Sequence, residues 1–173
     1  MSDLFMRRSA VISDCGLFRS ELRRDWDDGL PLLPVCMLNP STADHEREDP
    51  TLLALIWFAK LWGYGGLLIV NLYDFRASKP EEMFAAPVKL SLEGERRAMQ
   101  ALFYARDNGG RMLAAWGNAG ADRATFYADH ARCNGVELIC LGTTQSGAPK
   151  HPMARGQHRI PRDQQPIIWR AAA

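Results

Sequence analysis

GGLLIVNLYDF, residues 65–75, holds an apolar run from Leu67 to Val70 with no polar residue at alternate positions, and it stops at Asn71. Unbroken apolarity over so short a span is the pattern of a strand covered on both faces, as strands of parallel sheets are. The same pattern stands upstream in PVCMLN, residues 34–39, which runs into the polar loop Asn39-Pro40-Ser41-Thr42. It recurs downstream in RMLAAWG (111–117) and VELICLG (136–142), the latter followed by a Gly/Thr/Ser loop.

Helical segments separate these strands. Pro50 to Leu61 carries apolar residues at 52, 53, 55, 56, 57, 58 and 61, with Asp49 and Thr51 as start signals and Gly63 as a stop. A helical turn begins at Lys79-Pro80, and Ser91 to Arg106 has an apolar stripe at 98, 99, 102 and 103. Ala121 to Cys133 reads as a further helix, PIIWR (166–170) as a last edge strand, and residues 9–26 as a hairpin turning at Asp14-Cys15-Gly16. Strands alternating with helices imply parallel pairing through right-handed crossovers. The expected fold is one α/β domain over residues 1–173: a three-layer α/β/α sandwich with a central, mainly parallel four-stranded sheet in 32–170, plus the N-terminal β-hairpin.

With 173 residues, 47% hydrophobic and 24% charged, the composition is that of an ordinary globular domain with a core of its own. Net charge is +1, which excludes coating of nucleic acid by bulk electrostatics. Lys150, Arg155, Arg159, Arg162 and Arg170 against Asp163 nevertheless give the segment 150–170 a local excess of +4. Cys15, Cys36, Cys133 and Cys140 stand singly, in no metal or redox spacing, and read as buried thiols of a reducing compartment. No apolar stretch reaches the length of a membrane span and the first residues lack a signal-peptide run, so a cytoplasmic protein without membrane contact is expected.

Gly142 to Gly147 has the glycine spacing of a phosphate-binding P-loop, but Ala148-Pro149 stands where Lys and Ser or Thr belong. The nucleophile elbow of α/β hydrolases and the zinc-protease motif are both absent. Asp44, His45, Glu46, Glu48 and Asp49 precede a helix and read as caps and dipole partners rather than metal ligands. No metal and no cofactor are expected. What remains is Asn39 after one strand, Asn71 and Asp74 after the next, and His151 after the last, all at carboxyl ends where such sheets bind ligands. Amides match the donor and acceptor edge of a planar heterocycle, and a neutral imidazole stabilises negative charge on a carbonyl oxygen. Trp57, Phe58, Trp62 and Phe103 fall at helical spacings and read as core, whereas Tyr73 or Phe75, flanking a strand end, is placed to stack on a base or to pack.

MLNPSTAD, DPT, NLYDFRAS, AAWG and LGTTQSGAPKHP resemble, over nearly the whole chain, the bacterial and phage domain-of-unknown-function family numbered 1643. A weaker, collinear resemblance is to the uracil-DNA glycosylase superfamily, carried by MLNPST, LLIVN, AAWGNAG and Lys150-His151-Pro152. It departs from that pattern where Ser41 and Thr42 replace an aromatic, and where Met153-Ala154 follows His151-Pro152.

The second resemblance implies a glycosylase-like fold and a hydrolase that removes a damaged or modified base by water attack. Asn39 and His151 would be catalytic, orienting the water and stabilising the leaving base. Asn71 would read the base with Ser41 and Thr42 beside it, and Thr143, Thr144, Ser146, Lys150 and Arg155 would hold phosphate; Tyr73, Asp74 and Phe75 join the substrate site on their place after the same strand. The partner would be nucleic acid or nucleotide. An enzyme acting on a free nucleotide and a non-catalytic binding module are the alternatives, and the oligomeric state is open.

Overall fold

The computed structural model describes residues 6–41 and 49–173. The strands are β1 (Arg7–Ile12), β2 (Arg19–Asp25), β3 (Leu32–Met37), β4 (Gly66–Asn71), β5 (Arg111–Ala114), β6 (Glu137–Cys140) and β7 (Ile167–Arg170). The helices are α1 (Pro50–Leu61), α2 (Pro80–Ala85), α3 (Leu92–Asp107) and α4 (Ala121–Cys133). α1 starts where Asp49 accepts from the Leu52 N–H at 2.8 Å with Pro50 in the first turn, and α3 starts where Ser91 accepts from the Gly94 N–H at 3.0 Å. Each cap satisfies a donor that the first helical turn leaves orphaned.

All the strands join one sheet of seven, in the order β1-β2-β4-β3-β5-β6-β7. Neighbours pair in parallel for β4-β3, β3-β5 and β5-β6 and antiparallel for β1-β2, β2-β4 and β6-β7. This corrects the four-stranded, mainly parallel sandwich with an appended hairpin. The hairpin is part of the sheet, since Leu22 pairs with Ile69 and Asp25 with Gly66, and β7 extends the opposite edge antiparallel to β6.

The misreading has a physical source. β2 is RSELRRD, whose charges suggest a solvated ribbon, yet Arg19, Ser20, Arg24 and Asp25 are buried. Partners offset part of that cost: Arg23 bonds Asp25 at 2.9 Å, Ser20 Oγ donates to Asp74 at 3.2 Å and an Arg24 guanidinium nitrogen donates to Arg23 O at 2.9 Å, while Arg97 of α3 bonds Glu21 on the same strand at 3.1 Å.

Alternate residues of the central strands feed two cores. Leu32, Cys36, Leu68, Val70, Met112 and Leu138 pack with α3 and α4, whereas Leu33, Val35, Leu67, Ile69, Leu113 and Ile139 pack with α1. Burial on both faces is why these strands show no alternation in sequence. Cys36 and Cys140 are buried as expected, but Cys15 in the hairpin turn and Cys133 at the end of α4 are exposed. Among the described residues no helix is long and apolar enough to cross a membrane.

Candidate functional site

The order β2-β4-β3 sets three strand ends side by side, and a cleft of about 90 Å³ opens over them. Arg19 comes from β2, Asn71 from β4, Asn39 and Ser41 from the loop after β3, Asp49 from the cap of α1 and His151 from the loop after β6. Met37, Leu55 and Ile69 form its apolar floor. The volume suits a small planar group together with water.

Asn39 is anchored. Its Nδ2 donates to the carbonyls of Pro40 (3.1 Å) and Ala77 (3.0 Å), stapling the loop after β3 to the chain beyond β4. The pairing of β3 and β4 also continues past their ends, Leu72 N–H donating to Met37 and Tyr73 N–H to Leu38. Asn71 is different. It is 4% exposed, and among the described residues its side-chain amide makes no hydrogen bond to protein. A buried amide leaves its donors and acceptor idle only at a cost, unless a ligand or solvent in the cleft meets them.

Arg19, 7% exposed, brings a cation to the cleft. Burial and repulsion from Arg76 push its guanidinium down to about 10, with Asp49 partly offsetting this, so it remains charged at neutral pH. The Asp49 carboxylate accepts from Leu52 N–H and from Ser41 Oγ at 3.3 Å. His151 accepts the Met153 N–H on Nδ1 at 3.1 Å, so the neutral ring carries its proton on Nε2. Burial holds the His151 pKa below the ordinary 6.5, against a smaller opposing pull from Asp49. The cleft therefore presents a neutral imidazole donor at pH 7.

A pH dependence follows. As pH falls through the ordinary value of 6.5 the unfolded chain protonates this histidine, while the folded chain resists until a lower pH. Stability is lost over that interval, so the melting temperature of wild type should fall further than that of His151→Gln between about pH 7.5 and 5.5. Parallel melting curves would show the ring to be solvated instead.

The other predicted residues that are described lie outside the cleft. Thr42 falls outside the described residues, as do Asp44, His45, Glu46 and Glu48. Tyr73 packs edge-on against Phe84 and Phe75 edge-on against Phe18, each at 5.7 Å between ring centroids. Asp74, 1% exposed, accepts from Ser20 Oγ (3.2 Å), Ser91 N–H (2.8 Å) and Ser91 Oγ (2.5 Å). Thr144 and Ser146 donate their hydroxyls to Asn118 Oδ1, Thr143 bridges Pro149, and Lys150 lies against Gly142. Arg155 is exposed ahead of a short 3-10 turn, and none of these five lines the cleft.

Arg19 is the residue the sequence reading missed. Nothing in RSELRRD separates it from its charged neighbours, and only the pairing of β2 with β4 carries it to the strand ends. Asp49 was visible as a cap, and it serves in both places because α1 begins at the cleft.

Fold and cleft together define a mixed α/β protein with a polar cleft at the carboxyl ends of β3 and β4 and the amino end of β2. Residues 19–153 match the family model described as Protein of unknown function (DUF1643), and the chain belongs to that family. Every residue lining the cleft lies inside the matched span, whereas β1 and β7 lie outside it. No curated protein and no solved structure matches the chain. The likeness to the glycosylase superfamily thus rests on its four short motifs.

Proposed function

We propose that the cleft takes up a damaged or modified nucleobase and hydrolyses the N-glycosidic bond that holds it to its sugar. The observation that carries this reading is the Asn71 amide, open to the cleft and without a protein partner among the described residues, beside a neutral histidine whose Nε2 is a donor. An amide offers one acceptor and two donors in a plane, matching the edge of a base.

In the reaction, water adds to the sugar carbon as the carbon–nitrogen bond breaks, and the bonding pair leaves with the base. His151 Nε2–H donates to the base oxygen on which negative charge gathers, and the Arg19 cation favours the same charge. Asn39, with both amide hydrogens committed to carbonyls, has Oδ1 for orienting the water. Asp49, the one carboxylate lining the cleft among the described residues, takes the proton that the water loses.

Purified protein incubated with oligonucleotides carrying uracil, hypoxanthine, xanthine and hydroxymethylated pyrimidines, scored for abasic sites, tests the reading. At least one base should be released, and His151→Ala should slow that release by about 100-fold or more, the usual cost of losing one preorganised donor. Binding without release would make the chain a recognition module. Release that survives His151→Ala would remove the mechanism.

A further inference from the structure

α1 is apolar on every side, and a helix of that kind is expected to be covered all round. Its inner face is buried, but Leu53, Trp57 and Leu61 on the outer face are exposed, Trp57 to 49%. This corrects the reading of Trp57 as core. The segment after His151 runs alongside, pinned where Trp57 Nε1–H donates to Arg162 O (2.9 Å) and Trp62 Nε1–H to Gln164 O (3.0 Å). Between helix and strap lies a groove of about 380 Å³ floored by Leu53, Trp57 and Met153. Arg159 and Arg162 also line it, the Arg162 guanidinium over the Trp57 ring at 5.5 Å from its centroid, and among the described residues no carboxylate does. Pro50 and Pro152, at its near end, directly follow Asp49 and His151 of the cleft.

We infer that this groove is a track for single-stranded nucleic acid, so that the substrate is a base within a polynucleotide strand rather than a free nucleotide. The inference rests on the proposed reading of the cleft. A nucleotide next to the one in the cleft lays its base on the Trp57 indole in place of the Arg162 guanidinium, which turns with Arg159 to meet the phosphates. Half-exposed indole and guanidinium, with no opposing carboxylate among the described residues, match the alternation of flat bases and anionic linkages along a strand. A duplex does not offer the free base face that the indole needs.

The test is fluorescence anisotropy with a labelled oligothymidylate of about 15 nucleotides, long enough to cover one strand-binding site. Binding should weaken with salt, with a log–log slope near −1.4 for about two neutralised phosphates, and Arg159→Ala with Arg162→Ala should flatten that slope. Trp57→Ala should weaken binding about tenfold and Trp57→Phe should restore most of it. Because Trp57 also holds the strap, the two exposed arginines give an independent answer if Trp57→Ala fails to fold.

Equal binding of wild type and the arginine variant, or duplex bound as tightly as single strand, overturns the track. Strand binding that follows these variants with no base released by any of the proteins keeps the track and overturns the cleft chemistry. Base release from free nucleosides without strand binding does the reverse.

Discussion

Asn71→Ala should change stability little, while base release falls by about 100-fold or more, the range for removing a preorganised polar contact. Most substitutions at a site 4% exposed destabilise, but here the amide makes no protein hydrogen bond among the described residues. The amide lines the cleft and is not among the polar atoms sealed from solvent, so its removal strands no protein donor or acceptor and gives up only side-chain packing. Lost activity at nearly unchanged stability is what separates a ligand contact from a structural residue. Thermal melts beside single-turnover release measure both. A drop in melting temperature large enough to account for the lost activity would make Asn71 a structural residue and take away the observation on which the functional reading stands.

Asp74→Ala should have the largest effect on stability. Its carboxylate accepts from Ser20 on β2 and from both the N–H and hydroxyl of Ser91, which caps α3. Its backbone carbonyl accepts the Arg19 N–H at 2.9 Å, so the same residue holds the cationic edge of the cleft. Truncation strands several donors beneath a helix start and costs about 3 kcal/mol. For a chain of this size that is a fall of roughly 6–12 °C in melting temperature. Asp74→Asn should recover part of it. Gly94 faces the same carboxylate so closely that an added Cβ would stand 2.3 Å from the Asp74 carboxyl carbon. Gly94→Ala is therefore expected to reproduce the loss without touching a hydrogen-bonding group. Melting curves of the three variants decide this, and a shift under about 2 °C for Asp74→Ala would show that solvent replaces the bonds.

Aspartate at a strand end was read as a substrate contact because position was all the sequence showed. Asn71 and Asp74, three residues apart after the same strand, have opposite roles. The Asp74 side chain reaches β2 and α3, whereas that of Asn71 faces the cleft, and neither direction is written in NLYD. Tyr73 and Phe75 likewise divide between two aromatic packings. Asn39 and His151, from loops more than a hundred residues apart, do line the same cleft.

What the sequence determined by itself is local. The helix over 50–61 was legible from its apolar pattern between the Asp49 and Thr51 start signals and the Gly63 stop, the one over 121–133 from its pattern, and the central strands from apolar runs too short for helices. Such signals arise from residues a few positions apart, where capping bonds and burial on two faces act directly on the chain. Tertiary structure alone decided that the hairpin enters the sheet, that its direction makes the sheet mixed, and that Arg19 reaches the cleft. Those outcomes depend on which backbone edges meet and on ion pairs between β2 and α3, contacts between residues distant in sequence that leave no periodicity to read.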